Sequence, residues 1–542
     1  MNQRQRLIKL LIVGAAVGIS FWRTPSLFTQ PRFWAEEGQE FFSQAQTYAH
    51  TALWYRGLTG IHIGYFSIWP NIATTFAANL VPLEHAPAVT TLLALTVQLV
   101  PVAIILWGRS VLWRTYPQKL ACILIVVFAP LSSEIWLTTT NSQFHFGLIT
   151  FLILVAETGR TSVGRWLYRV PLVLAGLTGP LSCFLSPLFA LKAVAKKETE
   201  RIVQAVILLI CAVIQLTILW LSMGSEPTLA KRLGAIDLPL LSSIVWTQSI
   251  GLVLFGLTAA KWLAGVITTA RATGGFESSA IGLGLMVLEA TVLTYVSAGR
   301  TVRERVELVG SYLILIVPST LASLEVDKAR LLNPGNAARY FWVPNVIFLL
   351  MVADGVQRAR DAAKVVRLTV LGVFLVGALA FGLAEYREAL LVSDDWPKWR
   401  DEVRLWREQP ARVVQVWPPG WGLRMTDLAG NEPPFGFIDG PSDGAVVGRS
   451  VVVSGWALDD SEIWAIRLYV DGRLTADARL SVPRPDVAKA ARQYARGTDI
   501  HGWMVPIDLG PEPGPRTVRV EAVDDRGTVQ VIGVIRLVVH EQ

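Results

Sequence analysis

The chain has 542 residues, of which 52% are hydrophobic and only 17% charged, and its mean hydropathy is +0.45. Soluble domains run at about 45–50% apolar and about 25% charged, and here the apolar excess lies in long runs, which excludes a string of soluble domains and points to one large helical membrane domain plus a smaller domain. The net charge of +7 sits largely between apolar segments, where Lys and Arg set orientation, and no nucleic-acid motif accompanies it.

In chain order, Arg4, Arg6 and Lys9 precede an apolar stretch at 10–22. A signal peptide has this form, but no small-x-small cleavage site precedes the aromatic residues, so the stretch reads as an uncleaved first helix. Further spans are expected at 87–107, 118–137, 142–158, 168–180, 181–193, 203–223, 243–268, 279–298, 340–355 and 366–384. The pair at 168–180 and 181–193 is too short for two full spans and reads as half-length or tilted helices meeting at Thr178-Gly179-Pro180. Cys122, Cys183 and Cys211 all fall inside these apolar runs and read as packing residues, not as a disulfide set or a metal site.

Two more apolar segments, 63–83 and 308–323, decide between eleven and thirteen spans. With eleven, Arg109, Arg114, Lys119, Arg160, Arg165, Arg169, Lys192, Lys196, Lys197 and Arg201 are all cytoplasmic; with thirteen they all face outward. The positive-inside bias selects eleven. Both segments are then expected to lie at the outer interface or dip in from it, with Gly64, Pro70 and Asn71 supporting this for the first. An odd count puts the C-terminus outside.

The fold class expected is therefore a polytopic α-helical membrane domain at 1–385, with outer loops at 23–86 and 298–339. An amphipathic linker at 386–435 follows, and an all-β immunoglobulin-like sandwich at 436–542 ends the chain. In the linker, Trp396, Trp399, Val403 and Trp406 share one helical face behind Pro397, which suits a helix lying along a membrane surface. Period-two runs at 446–456, 466–470, 517–523 and 529–539 are separated by turn signals at Asp439-Gly440, Asp471-Gly472 and Asp525-Arg526-Gly527. The sandwich lacks the antibody-type Cys pair; it either binds glycan or caps the membrane domain.

Chemistry is expected at the outer face. Glu36 and Glu37 follow Phe33 and Trp34 just past the first span, and a carboxylate at an apolar boundary gains proton affinity, which suits a general base. A solvated charge pair at the start of an interfacial helix fits equally well. A second short loop brings Glu134, Asn141, Gln143 and His145 to the same face, where unpartnered polar groups are costly. They read as acceptor-binding or supporting groups, or as interhelical hydrogen bonds. The third loop carries Arg300, Arg303 and Arg305 and ends at Arg339-Tyr340. These arginines run against the positive-inside bias, so they answer either anionic headgroups or a lipid-linked phosphate gripped by guanidinium. No Walker motif, dinucleotide loop or HExxH is present, which argues against ATP-driven transport and zinc proteolysis.

The acidic pair in its aromatic setting, Phe33-Trp34-Ala35-Glu36-Glu37-Gly38, resembles the GT-C superfamily of membrane glycosyltransferases. Thr140-Asn141-Ser142-Gln143-Phe144, Leu177-Thr178-Gly179-Pro180 and Ala338-Arg339-Tyr340 are similar to what bacterial members carry in this order, and the resemblance spans roughly 1–425. It departs from the many members with an Asp in the pair, and so leaves Glu36 and Glu37 both as candidate bases, with a slight preference for Glu37. The resemblance implies an inverting transfer of a sugar from a polyprenyl-phosphate donor to an envelope glycan, lipid or protein acceptor at the outer face of a bacterial plasma membrane. The N-terminus would be cytoplasmic and the C-terminal domain extracytoplasmic. Arg339, Tyr340, Arg300, Arg303 and Arg305 would bind the donor phosphate. No ligand set demands a metal, although a divalent ion beside the carboxylates stays open. A lipid-linked glycan flippase and a non-catalytic envelope scaffold are the rival readings. The tail segments Ser454-Gly455-Trp456-Ala457, Val470-Asp471-Gly472 and Arg484-Pro485-Asp486-Val487 are similar to an immunoglobulin-like module at the ends of bacterial envelope proteins.

Overall fold

The computed structural model describes residues 3–51, 53–62, 64–223, 236–273, 276–323, 327–358, 364–387, 396–408, 412–423, 425, 433–491, 494, 498–525 and 527–540. Two compact units emerge: Met1–Phe41, Leu58–Trp399 and Val416–Trp421 form the first, and Phe42–Gly57, Arg400–Gln415 and Gly422–Gln542 the second.

The first unit is helical. Its main helices are α1 (Gln3–Arg23), α2 (Ile68–Leu80), α3 (Ala86–Trp107), α4 (Tyr116–Phe128), α5 (Ser142–Val155), α6 (Ser162–Gly176), α7 (Ser186–Lys196), α8 (Thr199–Met223), α9 (Leu238–Val245), α10 (Gly251–Ala272), α11 (Phe276–Val296), α12 (Val302–Leu321), α13 (Arg339–Arg358) and α14 (Lys364–Ala384). Six described helices are long and apolar enough to cross a membrane: Gln3–Arg23, Leu83–Trp107, Thr199–Ser222, Leu238–Ala272, Glu277–Val296 and Arg339–Val356. Tyr116–Phe128, Ser142–Val155 and Leu368–Ala384 are apolar but shorter. This pattern fits a membrane-embedded protein.

Helix α5 is buried all round, from Phe144 to Val155, and forms the centre of the core. Around it, α8 and α11 leave long apolar side chains exposed, including Leu209, Leu216, Trp220, Leu283 and Val287, as expected of helices facing lipid. The 35-residue stretch Leu238–Ala272 is not one straight helix. A π turn at Trp246–Ile250 interrupts it, and Gly256 adopts φ 81° and ψ 175°, a conformation open to glycine and not to a helix.

The two segments that decided the expected span count behave differently. The first yields the 13-residue helix α2, about 20 Å long, preceded by a hairpin of Ile61–His62 against Tyr65–Phe66; residue 63 lies outside the described residues. The second, residues 308–323, covers most of the 20-residue helix α12, which buries Leu308, Ser311, Tyr312, Leu315, Ile316, Ser319 and Thr320 along its length. A Thr301/Glu304 capping box starts it. One end is fixed by Glu307 to Lys192 of α7 at 2.7 Å.

The second unit carries all but the first residue of a helix at Trp399–Glu408 and a β region. Trp396 and Trp399 of the first unit and Val403 and Trp406 of the second are all buried. The strands are β1 (Phe435–Gly440), β2 (Val446–Val447), β3 (Ser450–Leu458), β4 (Ile463–Val470), β5 (Arg473–Ala478), β6 (Val482–Pro483), β7 (Ile500–Asp508), β8 (Gly514–Asp524) and β9 (Val529–Val539). They make a four-stranded sheet, β6-β7-β3-β1, and a five-stranded sheet, β2-β9-β8-β4-β5. All pairings are antiparallel except β2 with β9. Alternate residues of both sheets, among them Ile438, Val453 and Trp503 from one and Ile466, Val518 and Leu537 from the other, share one core. Arg526, part of an expected turn, lies outside the described residues.

Candidate functional site

The loop after α1 is shaped by residues from far along the chain. Trp34 bridges Trp417, through hydrogen bonds from the Ala35 amide to the Trp417 carbonyl and from the Trp417 amide to the Phe33 carbonyl. The Arg32 guanidinium sits in the corner formed by the rings of Trp396 and Trp417, 4.5 and 4.3 Å from their centroids, in cation–π contact with both. Phe33 meets Trp399 edge-on at 4.8 Å. A Cβ on Gly38 would come within 2.9 Å of Val416, so glycine is what lets the two segments close up.

This packing turns the two glutamates different ways. Glu37 is 1% exposed. Its Oε1 accepts the Thr139 amide at 2.7 Å and the Thr139 hydroxyl at 2.5 Å, and its Oε2 accepts the Trp34 amide at 3.4 Å. Burial pushes the Glu37 carboxyl above its ordinary value, and these hydrogen bonds oppose that rise. Glu36 lines a cavity instead.

That cavity has a volume of about 430 Å³ and two chemically distinct ends. Glu36, Tyr65, Asn141, Gln143, Arg339 and Tyr340 supply the polar end. Phe184 and Pro187, Leu216 and Leu219 of α8, and Ile314 and Pro318 of α12 supply apolar wall. At the polar end Gln143 donates to the Tyr65 hydroxyl at 3.1 Å, and burial pushes the Tyr65 phenol up to about 12. Arg339 pairs through Nη1 with Glu134 Oε2 at 3.0 Å, while Asn141 donates to the Glu134 carbonyl at 2.7 Å. Tyr340 packs edge-on against Phe144 at 5.5 Å.

The break between α6 and α7 holds this end together. Gly179 has φ +77°, and a Cβ there would sit 2.4 Å from Gln143 Oε1. Its amide bonds the Phe66 carbonyl at 2.9 Å, and Gln215 of α8 bonds both the amide and the carbonyl of Phe66, at 3.2 and 2.9 Å. The hairpin carrying Tyr65 is thereby tied to the helix break and to α8.

Of the residues expected to act together, Glu36, Asn141, Gln143, Arg339 and Tyr340 line one cavity, and Glu134 is joined to it through Arg339. Glu37 is turned away, so the geometry moves the preference within the pair to Glu36. His145 does not reach the site; it packs on Trp342 at 5.0 Å and borders a separate void of about 30 Å³ with Gln98 and Trp136. Arg300, Arg303 and Arg305 do not line this cavity. Arg300 pairs with Asp354 at 2.5 Å and Arg303 with Glu307 at 3.2 Å, while Arg305 is exposed. They sit at the start of α12, whereas its Pro318 and Ser319 line the cavity; a helix of this length separates its ends by about 30 Å. Tyr65 and Gln215 went unforeseen. The available signal was Gln215 deep inside the apolar run of α8, where an amide is costly unless bonded. Among the described residues no group of three or more His, Cys, Asp or Glu side chains could hold a metal ion.

No family model matches the chain, and no curated protein matches it. Among solved structures it is similar to the fibronectin(III)-like modules of Clostridium thermocellum CbhA, at 16% identity over 20% of this chain, with a TM-score of 0.14. The match spans about half of that structure, 51% of its length, and at that score it carries no argument about fold.

Proposed function

We propose that the protein is a membrane glycosyltransferase that moves a sugar from a polyprenyl-phosphate donor to an envelope glycan, lipid or protein acceptor. One observation carries the reading: a single cavity joins a carboxylate and an arginine at its polar end to a long apolar wall, the complement of an amphiphile with an anionic head. The Glu36 carboxylate would take the proton of the acceptor hydroxyl as its oxygen bonds to the anomeric carbon, a contribution of about 10²–10⁴-fold. The bond from that carbon to the phosphate oxygen breaks on the opposite side, inverting the configuration. The phosphate leaves as a stable anion and needs no general acid. Arg339 offers its remaining N–H groups to the developing charge, held in place by Glu134, and Tyr340 borders the same spot.

The same reading sets the topology. Lys119, Lys192, Arg201 and Arg303 cluster at one end of the helices, through bonds to Leu106, Leu154, Ile153 and Glu307, and positive-inside makes this end cytoplasmic. The cavity then opens toward the outer leaflet of a bacterial plasma membrane, with eleven crossings and the C-terminal unit outside. With α12 read as a crossing, the kinked α9–α10 stretch would enter and leave by one face. The two sheets sharing one core support an immunoglobulin-like sandwich.

The test is turnover by purified protein in nanodiscs with a panel of polyprenyl-phosphate sugars and candidate acceptors. Release of polyprenyl phosphate, lost in Glu36→Gln and reduced at least tenfold in Arg339→Ala, is the expected result. Release that survives Glu36→Gln sinks the base assignment. Lipid translocation without release moves the protein to the flippase class.

A further inference from the structure

We propose that Gln248 is a positioning residue for Arg339: one buried carboxamide, presented by a break in a membrane helix, sets the anion-binding end of the cavity. The inference rests on the reading of that end given above, and it brings in an element, the π turn at Trp246–Ile250, that lines none of the cavity.

Gln248 is fully buried, in a stretch otherwise apolar enough to cross a membrane, where an unpartnered amide is costly. Its Nε2 donates to the carbonyls of Leu331, Asn333 and Asn336 at 2.6, 2.9 and 3.2 Å. The Gly335 amide donates back to its Oε1 at 3.4 Å. Three carbonyls therefore converge on a group with two hydrogens, and the turn from 331 to 336 is wrapped around one side chain. The π turn is itself tied down on both sides: Asn345 of α13 donates to the Gln248 carbonyl at 3.1 Å, and Tyr312 of α12 donates to Ser249 at 3.0 Å.

Arg339 begins three residues beyond the wrapped turn. Asn336 leads into Ala337, whose φ of +52° forces the chain to reverse. The Tyr340 and Phe341 amides then bond the Ala337 and Ala338 carbonyls at 3.1 and 3.0 Å. No freely rotating residue separates the pinned turn from Arg339, so a shift of the turn moves the guanidinium. π turns are rare and frequently mark functional positions; here the widened turn is what brings a glutamine out of the helix row to face a loop.

The experiment uses the full chain in nanodiscs, with a polyprenyl monophosphate as the probe. Gln248→Leu keeps the volume and removes the amide; Gln248→Asn keeps the amide and draws it back by one methylene. The expected result is a dissociation constant raised about 10–100-fold in both, as for a misplaced binding group. In an Arg339→Ala background the same changes have little further effect, because the group they position is gone. Equal weakening in both backgrounds overturns the proposal, since it describes general loss of structure. If Gln248→Leu does not fold, the Asn variant decides.

A second readout needs no ligand. Tryptic cleavage after Arg330, which is exposed beside the pinned turn, is mapped by mass spectrometry. It should run several-fold faster in Gln248→Leu, and an unchanged rate overturns the clamp. If the wild type binds no probe, the anion-site reading fails, and the tryptic rate alone then decides whether Gln248 pins the loop.

Discussion

Glu37 and Thr139 form a tight polar contact in a buried place, and its consequences are structural. Removing the carboxylate leaves the Thr139 amide without its acceptor, at a cost of about 1–3 kcal/mol. Glu37→Ala should therefore lower the melting temperature by several degrees, while Glu36→Ala should shift stability by less than about 0.5 kcal/mol. Equal effects in a thermal melt would count against the division of roles. The sequence shows two adjacent glutamates and nothing to separate them, because what turns one inward is backbone bonding to Trp417. By contrast, Asn141, Gln143, Arg339 and Tyr340 were legible. Polar groups next to apolar runs are costly, and that cost marks them wherever they stand.

At the scale of elements, the start of α12 shows how a membrane-length helix can be disguised. Arg303, Glu304, Arg305 and Glu307 occupy its first two turns and depress its hydropathy, so it reads as part of a loop. The charges are tolerated because they are paired: Glu307 with Lys192 and Arg303, and Arg300 with Asp354. Arg300→Ala leaves the buried Asp354 to Arg358, 3.1 Å away, and removes a charge-assisted hydrogen bond, a loss of about 1–3 kcal/mol. The expected outcome is poor folding, recovered in part by adding Asp354→Asn, as read by yield and melting temperature. Failure of the second change to recover any stability would argue that Arg300 matters through something other than this pair. The β region was easier, since strict alternation needs only neighbouring strands to be read. The π turn and the Gly256 kink were not legible, because an apolar run looks the same whether its helix is straight or broken.

At the scale of the whole molecule, the proposed orientation makes the two ends of the helical unit chemically distinguishable. In a background without Cys122, Cys183 and Cys211, a cysteine replacing Gln39 should react in intact cells with a maleimide that cannot cross membranes. One replacing Arg305 should react only after permeabilisation. The reverse pattern would invert the topology and place the cavity toward the cytoplasm, where an envelope acceptor could not reach it. Both positions are exposed, so silence at either reports the membrane and not burial.

The helical unit is also closed like a ring. Arg23, at the end of α1, donates to the Tyr386 carbonyl 363 positions away at 2.6 Å, and its guanidinium stacks on Trp136 and Tyr386 at 4.0 and 4.2 Å. Trp417 reaches back still further, to the loop that bears Glu36. A ribosome making about 5–20 residues per second delivers α1 to the bilayer roughly twenty seconds to a minute and more before it delivers Tyr386 and Trp417. During that interval the Arg23 guanidinium can meet Ser132 and Trp136 but not Tyr386, and the Glu36 loop has no Trp417 to close against. The site is thus among the last parts of the protein to exist, and an incomplete chain is an inert one.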